Sequence, residues 1–272
     1  MKSKLRKVVD QNYLREPNDE LHRFLSAGNM ALLSDYATME VYKGDSLLNI
    51  RRSLEILSKY PRQVLILRPT QVVIRITQVG KRPPARLLID EEQSADFGSF
   101  CAQVYAIDPD RLSPELAMFE SKSRQANEFY RGRLDFARMV LDSIDTYRKA
   151  FNPDELKRIR TNSFTPELLD KMDDHVFSVA VRFMHLNGFV LRTARQAVTN
   201  FLFRWSIAAY FLVVGWLSEG GYQSLPLAKM QNDIIDMTYV TYATYFDGLL
   251  SRDNKMKQIR LLTEAFLKHL GT

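Results

Sequence analysis

Carboxylates recur where apolar runs of this 272-residue chain end. Asp10 directly follows Leu5–Val9, with Asn12 two residues on. Glu40 comes shortly after the run Ala31–Leu33, and Asp253 follows Gly248–Ser251. Asp233 and Asp236 are one helical turn apart, on one face if the segment after Asn232 is helical. Acids delivered from distant parts of a chain suit Mg²⁺ or Mn²⁺, hard cations that take oxygen ligands and leave room for water and phosphate. Two such ions orient a water and stabilise the leaving oxygen of a phosphodiester. No histidine is required, and the chain has only four.

Other chemistries lack their residues. There is no P-loop, G-x-G-x-x-G, G-x-S-x-G or H-E-x-x-H pattern. A single cysteine, Cys101, excludes an intramolecular disulfide framework and a thiolate-rich zinc site. His175 beside Asp173 and Asp174 reads as a helix-surface residue rather than a metal ligand. The 38 Lys+Arg against 32 Asp+Glu, a net +6, point to a polyanionic partner. Arg131, Arg133, Arg138, Arg158 and Arg160 read as a solvated face, or as a track for a phosphate backbone. Tyr130, Tyr147 and Phe151 read as core, or as stacking platforms for unpaired bases. Trp205, Tyr210, Phe211 and Trp216 read as packing residues.

The elements that would position the acids alternate between strand and helix. Leu5–Val9, Ala31–Leu33, Val64–Leu67 and Gly248–Ser251 are short buried strands. Between them Asn18, Asp19 and Glu20 open a helix closed by Gly28, Asp35 caps a second, and Ser46 caps a third with Leu47, Ile50, Leu54 and Leu57 on one stripe. Strands separated by helices imply a parallel sheet. Val72–Ile76 fits strand or helix equally. Helices are expected from Ser113-Pro114-Glu115, from Thr165-Pro166-Glu167 with a break at Asn187-Gly188, from Asn232 to about Phe246, and after Asp253. Trp205–Leu217 is uncharged but shorter than the roughly 20 residues of a membrane span, and reads as a buried core helix. Residues 1–7 lead into no signal-peptide core, so a cytoplasmic protein is expected.

Four segments carry a family resemblance. Val8-Val9-Asp10-Gln11-Asn12-Tyr13-Leu14 resembles the opening of a PIN domain, an apolar strand followed by Asp-x-Asn. Ser34-Asp35-Tyr36-Ala37-Thr38-Met39-Glu40-Val41 is similar to the second family motif, a strand followed by a short helix bearing glutamate. Asn232-Asp233-Ile234-Ile235-Asp236, with Tyr239, Val240 and Ala243, is similar to the third. Gly248-Leu249-Leu250-Ser251-Arg252-Asp253 resembles the fourth, where Ser or Thr, a variable residue and Asp end a strand.

The resemblance implies an α/β fold, a PIN-like parallel sheet flanked by helices and interrupted by a large all-helical insertion. Residues 1–70 and 226–272 would form the PIN-like domain, and residues 71–225 the insertion, a departure from compact family members. It implies a metal-dependent endoribonuclease cutting single-stranded RNA by two-metal or metal-hydroxide hydrolysis, with a toxin or anti-phage defence role as a further expectation. Asp10, Glu40, Asp236 and Asp253 would be the catalytic, metal-binding acids, Asp233 an extra ligand, and Asn12 and Ser251 supporting residues. Expected partners are nucleic acid, RNA ahead of DNA, and a second copy or a regulatory protein, with no membrane. Two alternatives stay open: a structure-specific DNA nuclease, and a catalytically inactive PIN-like interaction module.

Overall fold

A computed structural model describes residues 4–14, 19–42, 47–78, 85–109, 114–132, 144, 147–161, 163–186, 188–189, 194–220 and 225–271. Asn18, Ser46, Ser113, Asn187, Arg133 and Arg138 lie outside them, as does the side chain of Tyr130 and that of Arg131. The chain divides into two compact units. The first comprises Met1–Ile76, Pro83–Arg131 and Tyr242–Asn254; the second comprises Thr77–Arg82, Gly132–Thr241 and Lys255–Thr272.

The first unit is built on five strands: β1 (Arg6–Val9), β2 (Met30–Leu33), β3 (Val64–Leu67), β4 (Ile89–Asp90) and β5 (Leu249–Leu250), in the order β4-β3-β2-β1-β5. Four run parallel, with Val8 opposite both Leu32 and Leu249. The sheet is mixed rather than wholly parallel, because β4 joins antiparallel at the edge, Leu67 facing Ile89. Two residues are too few to show an alternation in the sequence, which is why this strand escapes a reading from pattern. Val8, Val9, Leu32 and Leu67 are buried, as expected of strands covered on both faces.

Helices α1 (Gln11–Leu14), α2 (Asp19–Ser26), α3 (Asp35–Tyr42), α4 (Leu47–Leu54), α5 (Thr70–Thr77), α6 (Glu91–Ala106) and α7 (Pro114–Gly132) complete most of this unit. Gly28 closes the α2 turn at φ 81°, the left-handed region glycine tolerates. The expected stripe is buried at Leu47, Ile50 and Leu54 of α4, and at Leu57 in the 3-10 turn Leu57–Lys59 that follows it. The cap of α3 is Ser34, not Asp35: the Ser34 hydroxyl accepts the Ala37 N–H at 3.2 Å. Asp35 instead reaches across to the start of α5, accepting the Thr70 N–H at 2.8 Å and the Thr70 hydroxyl at 2.7 Å. That bond to a helix N-terminus resolves Val72–Ile76 as helix despite its β-branched residues.

The second unit is helical: α8 (Pro153–Arg160), α9 (Pro166–Leu186), α10 (Ala194–Thr199), α11 (Phe201–Glu219), most of α12 (Leu227–Ala243), and α13 (Asn254–His269) but for its first residue. A capping box opens α8, Asn152 accepting the Glu155 N–H while Glu155 accepts the Asn152 N–H. Met172, Val176, Ala180 and Met184 make a four-residue stripe on α9 that belongs to one buried cluster with Phe203, Ile207, Tyr210 and Val214 of α11. The helical run from Leu168 breaks at Gly188, φ 79°, as expected, and again at Asn200, whose side chain caps α11. Helix α11 is apolar nearly all round and is long and apolar enough to cross a membrane, yet most of it is buried within the protein. Asn232 caps nothing, since α12 starts five residues earlier, just after Pro226.

Candidate active site

Strand β1 is the point from which the parallel sheet grows in both directions, toward β2 and β3 on one side and β5 on the other. Open sheets of this kind bind ligands outside the carboxyl ends of the strands at such a switch point. Asp10 stands there, and its backbone N–H pairs with the Leu250 carbonyl of β5 at 3.0 Å. The same register brings Ser251 alongside, its hydroxyl donating to Asp10 Oδ2 at 2.8 Å. The Asn12 N–H closes a local turn onto Asp10 Oδ1 at 3.3 Å. The Asp253 N–H in turn donates to the Ser251 hydroxyl at 3.0 Å. Ser251 therefore accepts from one acid's backbone and turns its proton toward the other's carboxylate.

The electrostatics at Asp10 are set by burial and a neighbouring acid. Asp10 and Ser251 are each only 1% exposed. Burial lifts the Asp10 carboxyl above its ordinary range, and the nearby Asp253 charge lifts it further, against the lowering effect of the Ser251 and Asn12 hydrogen bonds. These are hard oxygen donors, in a place where a cation would relieve both the desolvation and the repulsion.

The other candidate acids are placed differently. Glu40 is half-buried in α3 of the same unit. Asp236 is half-buried and Asp233 buried in α12, within the helical unit. Asp233 Oδ2 meets Lys255 Nζ at 2.6 Å and accepts the Trp216 indole N–H at 3.1 Å, which gives this carboxylate a cation and a donor of its own. Among the described residues no group of three or more His, Cys, Asp or Glu side chains is gathered as a metal cage. Two carboxylates are enough for Mg²⁺, which keeps several waters and is held through one or two carboxylates plus substrate phosphate.

Around His175 the structure corrects a surface reading. Its ring is half-buried among Tyr147, Phe151 and Tyr210, with centroids 5.4–5.8 Å away, and Nδ1 lies 3.2 Å from the Tyr210 hydroxyl. Burial, then the Lys171 charge, holds its pKa below the usual imidazole range. Phe151 is thus a core residue and Tyr147 packs half-buried against the same core, whereas Arg158 and Arg160 are exposed at the end of α8, where positive charge suits the helix dipole.

One half-buried acid carries more than the sequence discloses. Asp35, also raised by burial, joins the carboxyl ends of β2 and β3 through Thr70, whose hydroxyl lies 3.0 Å from that of Tyr242. The placement of Thr70 just after Arg68-Pro69, at a strand end, was the available signal. Comparison with protein-family models, with curated proteins and with solved structures returns no match to this chain.

Proposed function

We propose that this chain is a Mg²⁺- or Mn²⁺-dependent phosphodiesterase, a PIN-like endoribonuclease acting on single-stranded RNA. The observation that carries the reading is the Asp10 carboxylate, buried at the switch point beside Asp253 with its pKa raised. Asp10 and Asp253 would hold the ion. Bound there, it would supply Lewis-acid stabilisation to a phosphodiester and lower the pKa of a water.

The chain's own residues prepare that place. The Ser251 proton on Asp10 Oδ2 and the Asn12 N–H on Oδ1 orient the carboxylate and favour its charged form. Through the Asp253 N–H on Ser251, the two acids are held by one short hydrogen-bonded chain. Glu40, Asp236 and the role of RNA enter through the four-segment resemblance, and the net charge of +6 agrees with a polyanionic substrate.

The test is cleavage of a labelled single-stranded RNA by purified protein in Mn²⁺, Mg²⁺ or EDTA, with linear and branched DNA in parallel. Cleavage in either metal, absent in EDTA and lost in Asp10→Asn, is expected. Cleavage of DNA alone would move the substrate to the structure-specific alternative. Failure on every substrate would leave the interaction-module alternative standing.

A further inference from the structure

Within the sheet unit, a cavity of about 410 Å³ opens among α3, α4, α6, α7 and the adjoining strand ends. Its walls are mostly apolar: Leu33, Leu57 and Phe97 line it and are themselves nearly inaccessible, and Tyr42 adds an aromatic face. The enclosure is braced, because the buried Ser123 hydroxyl of α7 donates to the Tyr42 carbonyl of α3 at 2.6 Å. Apolar walls offer water few hydrogen bonds, so such a space is favourably filled by an apolar body. Volume, lining and sparse polar groups match those of small-molecule sites.

We infer that this cavity binds a small anionic amphiphile, a medium-chain carboxylate in chemical class. The apolar body would enter between α3 and α6. Among the lining residues Lys122 is the one cation and Asp96 the one acid; the Lys122 ammonium stands 5.8 Å from the centre of the Tyr42 ring and is exposed to meet a carboxylate head. Helix α3 turns Ala37, Thr38, Val41 and Tyr42 toward the cavity. Met39 lines it too, while Glu40 is not among the lining residues.

The full chain is titrated with 8-anilinonaphthalene-1-sulfonate, which is then displaced by dodecanoate. One saturable site is expected. Ala37→Met, which extends a side chain into the space, should weaken both probes at least tenfold while melting no lower than the wild type. Lys122→Gln should weaken dodecanoate about fivefold. The inference is overturned by absence of saturable binding, by unchanged affinity in Ala37→Met, or by a lowered melting temperature in that variant, which would mean the space is already occupied. Unchanged dodecanoate affinity in Lys122→Gln would overturn the anionic head.

Discussion

Two buried carboxylates, one in each unit, are satisfied in opposite ways. Asp233 in the helical unit has a lysine ammonium at 2.6 Å and an indole N–H at 3.1 Å. Asp10 in the sheet unit is held among the described residues by neutral donors, Ser251 and the Asn12 N–H, with a second acid close by. Both are almost inaccessible, at 6% and 1%. Burying a charge without an opposite one is costly, and proteins normally pair it or let it take up a proton. A carboxylate that the fold completes internally serves the fold. On the proposed reading, one left beside another acid at a strand switch point would receive a cation.

The comparison is broken most sharply by exchanging the two acids' fates. Asp10→Asn should reduce metal-dependent RNA cleavage at least a hundredfold while leaving the folded chain intact. Asp233→Asn should leave cleavage within about twofold of wild type, yet cost roughly 1–3 kcal/mol of stability, because Lys255 loses its charged partner. Cleavage kinetics beside urea melts of both variants read the two effects separately. Equal loss of activity in the two would erase the distinction.

A subtler effect follows from protons. Because the Asp10 carboxyl is raised above 3.8, the folded chain holds that proton more tightly than the unfolded one. Below 3.8 the stability difference between wild type and Asp10→Asn in EDTA should not change with pH. As pH climbs through the raised folded value, wild type should lose ground to Asp10→Asn. Asp35 has a shift of the same sign, but it is present in both proteins and cancels in the difference. Melting temperature against pH for the pair measures this directly.

Much of the sheet was legible because its strands are short apolar runs stopped by polar residues: Val8-Val9 before Asp10, Val64–Leu67 before Arg68-Pro69, Leu249-Leu250 before Ser251. The glycine punctuation at Gly28 and Gly188 was legible for the same local reason. What resisted depends on partners far away in the chain. Asp35 looked like a cap until Thr70, 35 residues on, claimed both its oxygens. The α5 segment has β-favouring residues and became helical in that tertiary setting. Asn232 resembled a helix start, but a proline further upstream set it. At the site, strand-end placement pointed to Asp10 and Asp253 and the family resemblance added Ser251, whereas the cation already beside Asp233 comes from Lys255, which no local pattern announces.

The most direct test of the central claim, that Asp10 sits in a site built for a cation, is thermal unfolding of wild type and Asp10→Asn in EDTA and in Mn²⁺ at neutral pH. Mn²⁺ at about a hundred times its dissociation constant adds roughly 2.7 kcal/mol to a protein that binds it only when folded. Wild type should therefore melt several degrees higher in Mn²⁺, and Asp10→Asn should not move. Identical shifts in the two proteins, or none in wild type, would contradict the account.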